Sequence, residues 1–117
     1  MRMPLWLRDL SRRSLKNLFW YVFVATRGGP TRTRLMLQII RNPSNARRLS
    51  EALQLDYTTI RHHLEVLERN GLVTSQGNKY NRIYFPSPLI EYNLDLFEEI
   101  CEKIYNRADL REIRRRK

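Results

Sequence analysis

Two short amphipathic segments separated by a tight turn, with a hairpin pattern directly behind them, constrain this chain more than any other feature. Asn45 is a cap-type residue ahead of Ala46, Leu49 and Leu53, which share one helical face, while Arg47, Arg48 and Glu51 fall on the other. Gln54 and Leu55 make the turn, and Asp56 caps a second segment in which Ile60, Leu64 and Leu67 recur at helical spacing up to the stop at Asn70-Gly71. Leu72 to Gln76 and Tyr80 to Phe85 then read as two strands around a tight turn at Gly77-Asn78. Helix, turn, helix and hairpin in that order predict a winged helix-turn-helix: mainly α with a small β-hairpin wing, an α+β fold.

The flanks predict added helices. Residues 4–26 carry Leu7, Leu10, Leu15, Leu18, Val22 and Ala25 at rough helical spacing, although Tyr21 to Thr26 is rich enough in aromatic and β-branched residues to form a short strand instead. Thr31 to Arg41, opened by Pro30, predicts the first core helix, with Leu35 and Ile39 buried. Ser87 and Pro88 open a final helix in which Ile90, Phe97 and Ile104 recur every seven residues, a seam suited to a partner helix. The expected organisation is a basic helical segment at 1–30, a DNA-binding core at 31–86, a dimerisation helix at 87–108 and a basic tail at 109–117. A chain of 117 residues has room for one such domain.

Charge narrows the partner. Lys and Arg number 22 against 12 Asp and Glu, a net charge of +10, which favours nucleic acid over an acidic membrane surface. The excess is not spread evenly. Residues 1–34 hold eight basic side chains and one acidic, whereas 35–71 hold five and four and are nearly neutral. Residues 89–105 are acidic, with five acidic against one basic, and residues 106–117 are basic again. The longest apolar run, Leu18 to Ala25, falls far short of the roughly 20 residues of a membrane span, and Arg27 follows too closely for a signal core. One cysteine, Cys101, excludes an internal disulfide framework and fits a reducing, cytoplasmic setting in association with the nucleoid.

Residues 45–73, NARRLSEALQLDYTTIRHHLEVLERNGLV, resemble the core of winged-helix transcription regulators of the ArsR type, above all the archaeal single-domain members, and TRGGPTR at 26–32 resembles their lead-in. The resemblance covers about half the chain directly and is specific for fold and DNA-binding class rather than for ligand. It implies a homodimer on double-stranded DNA. Metal-sensing members carry a Cys-containing motif where this chain has Ser44-Asn45-Ala46-Arg47-Arg48, so the resemblance does not extend to that metal site. Many members have Gly where this chain has Gln54, which must therefore turn left-handed at a cost of about 1 kcal/mol.

Several side chains are candidates for contact. At 100° per residue, Thr58, His62, Glu65 and Arg69 lie opposite Ile60, with Arg61 flanking. Tyr57, Thr58, Arg61 and His62 occupy the first turns, the end of a recognition helix that reaches base edges, and Arg61 suits guanine. The resemblance assigns the same four. Asn45, and Asn78, Lys79 and Arg82 around the hairpin tip, are expected on phosphates or in a minor groove, with Arg32 and Arg34 as backbone contacts whose charge would otherwise oppose their own helix dipole. Leu18, Phe19, Ile90, Leu94, Phe97, Ile100, Cys101 and Ile104 are expected at a dimer interface, where Cys101 would form an intersubunit disulfide only if it faced its own copy. His62 and His63 diverge by 100° and cannot share an ion, so neither metal nor cofactor is expected.

No phosphate-cradling Gly loop, nucleophile elbow or HExxH occurs, so an enzyme is not expected. Two other classes remain in competition with a specific regulator. One is an architectural DNA-binding protein, favoured by the basic ends; the other is a docking module that lays Leu5, Trp6 and Leu7 on a membrane surface or a protein.

Overall fold

The computed structural model describes residues 11–79 and 81–105. Ser11 accepts a hydrogen bond from the Ser14 amide and starts α1, Arg12–Trp20, which buries Leu15 and Phe19. The strand alternative for the following residues does not form. Tyr21–Ala25 instead continue as a π-helical turn, and three of its carbonyls meet side-chain donors. Thr26 Oγ1 donates to Tyr21 O at 2.9 Å, Arg32 Nε to Val22 O at 2.9 Å, and Thr33 Oγ1 to Phe23 O at 3.3 Å. The Tyr105 hydroxyl also donates to Phe23 O. A helix end buried without such donors would leave carbonyls unsatisfied, which is what makes this irregular turn sustainable.

Helix α2, Gly29–Arg41, starts two residues before the expected Thr31, with Pro30 in its first turn, and buries Leu35, Met36 and Ile39. The two residues Ser44–Asn45 form a short strand, β1. Helix α3, Ala46–Leu53, is capped by the Asn45 side chain, and Gln54 closes it at φ 55° and ψ 46°, the left-handed conformation expected. Helix α4, Tyr57–Arg69, is capped by Asp56 and buries Ile60, His63, Leu64, Val66 and Leu67. Gly71 follows with φ +75°.

The hairpin comprises β2, Val73–Gln76, and β3, Ile83–Pro86. Its second strand starts three residues later than the expected Tyr80, so the connection is the longer loop 77–82 rather than a two-residue turn. All pairings are antiparallel in the order β1-β3-β2, with Gln76 opposite Ile83 and Ser44 opposite Tyr84. The single final helix is also corrected. It is two helices, α5, Pro88–Glu91, and α6, Leu94–Ile104. Asn93 Nδ2 donates to Leu89 O at 2.8 Å across the break.

The break defeats the straight seven-residue seam. Ile90 and Phe97 point into the chain's own core, whereas Ile104 is 41% exposed. Phe97 meets Phe23 edge-on at 4.8 Å between ring centroids and Phe19 at 6.4 Å, and Phe19 meets Phe23 at 6.0 Å. Such edge-to-face pairs each add about 0.5–1.5 kcal/mol beyond their buried area, so this trio locks α1, the π-helical turn and α6 into one body. Continuous with it, Leu49, Ile60, Leu64, Leu67 and Leu72 carry the core under the helix-turn-helix. No helix among the described residues is long and apolar enough to cross a membrane.

Candidate nucleic-acid interface

The first turn of α4 is capped locally and leaves Tyr57, Thr58 and Thr59 exposed. Asp56 Oδ2 accepts from the Thr59 amide at 3.2 Å, and the apolar positions anchor the opposite face. Tyr57, Thr58, His62 and Glu65 are exposed, while Arg61 is half-buried at the edge of the helix facing the wing. Arg61 Nη1 reaches the Tyr57 hydroxyl at 3.4 Å. That contact is the main reason its pKa is raised.

Arg61 lies at a concavity of about 280 Å³, lined by Asn45, Ala46, Arg47, Arg61, Lys79, Asn81, Arg82 and Tyr84. The walls come from three places: the start of α3, the middle of the first half of α4, and the wing. Pairing of Ser44 with Tyr84 and Asn45 with Ile83 holds the α3 start against the wing. Asn45 Oδ1 accepts from the Arg48 amide at 2.8 Å, so its amide nitrogen is the side-chain atom turned to other uses. Within the wing loop, Gly77 has φ +107°, and a Cβ there would lie 2.6 Å from Asn81 O. Asn78 closes the loop by accepting the Asn81 amide at both its carbonyl, 3.2 Å, and its Oδ1, 3.0 Å. Burial raises the Tyr84 pKa, so its phenol is neutral at physiological pH. Arg47, Asn81 and Tyr84 were not picked out from the sequence. Their convergence depends on the two-residue strand β1, too short to leave a periodic signal.

The placement of Arg32 overturns its expected role. The side chain is 5% exposed and its guanidinium is spent inside the fold. Besides Val22 O it binds the Thr26 hydroxyl, and its Nη1 lies 3.2 Å from His63 Nδ1. Its charge does not oppose its own helix, because it reaches back to the C-terminal end of the preceding helical run, whose partial negative charge it complements. A phosphate contact would require breaking all of these bonds. Guanidinium groups only donate, so His63 Nδ1 must accept, and the ring is neutral with its proton on Nε2. Burial first, then the charges of Arg32 and His62, lowers the His63 pKa; burial likewise lowers that of Arg32. Arg34 is half-buried and its Nη2 donates to Leu53 O at 3.4 Å, which leaves it close to the helix-turn-helix surface.

The expected dimer residues divide. Phe19, Ile90, Phe97, Ile100 and Cys101 are buried within the single chain, so none of them is available to a partner without opening the core. Their spacing was legible; its destination was not, since intramolecular and intermolecular seams share one pattern. Leu18 is partly buried against the core, whereas Leu94 and Ile104 are 36% and 41% exposed. The exposed Trp20 and Tyr21 belong to the neighbouring α1 and π-helical turn. Arg12 of α1 and Asp95 of α6 form an exposed ion pair at 3.5 Å. Among the described residues no group of three or more His, Cys, Asp or Glu comes together. Residues Leu5, Trp6 and Leu7 lie outside the described residues.

A capped second helix, a left-handed turn before it and a cationic wing beside it define a winged helix-turn-helix fold. Residues 29–75, less than half of the chain, match the family model described as "Bacterial regulatory protein, arsR family", so this segment is similar to the helix-turn-helix of that family. Among solved structures, reduced HlyU from Vibrio cholerae aligns with a TM-score of 0.59 at 20% identity, covering 80% of this chain and 90% of that one. A second structure of HlyU from Vibrio cholerae gives 0.57 at 20% identity over 81% and 98% of the two chains. The transcriptional regulator SlyA aligns at 0.47 and 16% identity over 86% and 79%. No curated protein matches the chain.

Proposed function

We propose that the protein is a homodimeric, sequence-specific regulator of transcription that binds double-stranded DNA. In this reading α4 enters the major groove by its first turns, and the wing, residues 72–85, lies on the backbone or in the adjoining minor groove. One observation carries it: the helix that exposes Tyr57, Thr58 and His62 also contributes Arg61 to a hollow walled by Arg47, Lys79 and Arg82. Base edges and phosphates of one duplex lie side by side in that arrangement. Arg34 and Asn78 extend the same grip. Exposed Trp20, Tyr21, Leu94 and Ile104 support pairing of two copies through α1 and α6, and a two-fold dimer would set its reading helices about 34 Å apart, one turn of DNA.

Selection of duplexes from a random library by the purified protein tests this reading. A pseudo-palindromic site bound about 10³-fold or more above unrelated duplex is the expected result. The net charge of +10 favours a second reading, an architectural protein that grips any duplex. It predicts a steep salt slope with a specificity ratio near one, and that result would replace the first reading with the second.

A further inference from the structure

The concavity between α3, α4 and the wing is lined by four cations, Arg47, Arg61, Lys79 and Arg82, and by no carboxylate. The neighbouring carboxylates stand outside the lining: Glu65, one turn on from Arg61, acts on it only at a distance, and Glu68 accepts from the Ser75 hydroxyl at 2.8 Å. Four cationic side chains converging on one hollow make a favourable seat for an anion. Arg61 is the member of the recognition helix that takes part, and its position differs from that of its neighbours. Thr58 and His62 stand exposed on the outer face, while Arg61 is half-buried and turned to the wing, with the Tyr57 hydroxyl at 3.4 Å from Nη1. Reaching a guanine edge would take its guanidinium off that hydroxyl and out of the hollow. A planar fork of donors held among other cations matches the oxygens of a phosphate.

We infer that the hollow seats one phosphodiester of the DNA backbone, that Arg61 is a ligand of that phosphate and not a reader of bases, and that Thr58 and His62 carry the base contacts. The inference rests on the DNA-binding reading above and departs from the sequence expectation that Arg61 meets guanine. Tyr57 is then a positioning residue, fixing the guanidinium before DNA arrives. Because the seat spans three elements, it also sets the angle at which α4 meets the groove.

The test uses a selected duplex in which single phosphates are replaced, one at a time, by neutral methylphosphonates. Neutralising the seated phosphate is expected to weaken the wild-type protein at least about tenfold, the loss of a charge-assisted contact. At that same phosphate Arg61→Ala and Arg82→Ala should weaken by about twofold or less, since the contact is already gone, and both should keep the wild-type ratio between selected and unrelated duplex. Thermal melts of the two surface variants control for folding, and Arg82→Ala reads the same seat from its opposite wall. Should Arg61→Ala remain fully sensitive at every phosphate, or lose discrimination at one base pair, the seat is overturned while DNA binding stands. A wild-type protein that binds no duplex removes both, and does so before any variant is made.

Discussion

The contact between Arg32 and His63 ties α4 to α2 and, through the bonds of Arg32 to Val22 O and the Thr26 hydroxyl, to the π-helical turn. It needs a neutral imidazole, because protonation would convert the accepting Nδ1 into a donor facing donors and set two cations 3.2 Å apart. With the folded pKa of His63 below its ordinary 6.5, the unfolded chain takes up a proton that the native chain refuses as the pH falls. The stability from this contact is therefore complete above about pH 6.5 and declines as the pH drops toward the folded value. His63→Gln keeps an acceptor but cannot titrate. Urea denaturation should show its stability falling less than the wild type's between pH 7 and pH 5, and parallel curves would refute the coupling. Arg32→Met keeps the length of the side chain and removes its donors, leaving the Val22 carbonyl orphaned; a loss of about 2–4 kcal/mol in the same assay is expected. The two arginines, 32 and 61, show what a sequence conceals. Both are basic residues in the first half of a helix, yet one is buried among carbonyls and the other lines a cationic hollow, because distant partners decide where a long side chain lies.

Among the elements, those defined by local chemistry were legible. Asn45 and Asp56 cap the helices expected of them, and Gln54 takes the left-handed turn. The π-helical turn, β1 and the break between α5 and α6 were not legible, because each is set by partners far along the chain: Tyr105 on Phe23, Tyr84 on Ser44, the core on Ile90 and Phe97. Gly29 tests this at element scale. It stands in the first turn of α2, where Ala is intrinsically better by about 1 kcal/mol. A Cβ there would lie 2.6 Å from the Phe23 carbonyl oxygen, which is backbone of the π-helical turn and cannot swing aside. Gly29→Ala should therefore destabilise by roughly 1–3 kcal/mol despite its helix propensity; a rise in melting temperature would show that the turn yields.

For the whole molecule, most of the large exposed apolar side chains lie away from the helix-turn-helix, where Tyr57 is the exception. α3, α4 and the wing meet at the cationic hollow, while Trp20, Tyr21, Leu94 and Ile104 belong to α1, the π-helical turn and α6. Because Ile104 and Leu94 are exposed in the single chain, Ile104→Glu and Leu94→Glu should leave melting temperature almost unchanged yet weaken self-association at least about tenfold by sedimentation. Unchanged association would place pairing elsewhere. The buried Cys101 should react with a thiol reagent only as fast as the core opens.

The smallest element has consequences out of proportion to its length. Since Ser44 and Asn45 pair with Tyr84 and Ile83, the wing base is stapled to the start of the helix-turn-helix before any ligand arrives. A free hairpin would have to freeze its orientation on contact, at an entropic cost; this one is preorganised, with adjustment confined to its tip. Hydrogen exchange should then find the β3 amides protected in the free protein and scarcely slower on DNA, with new protection concentrated around residues 77–82.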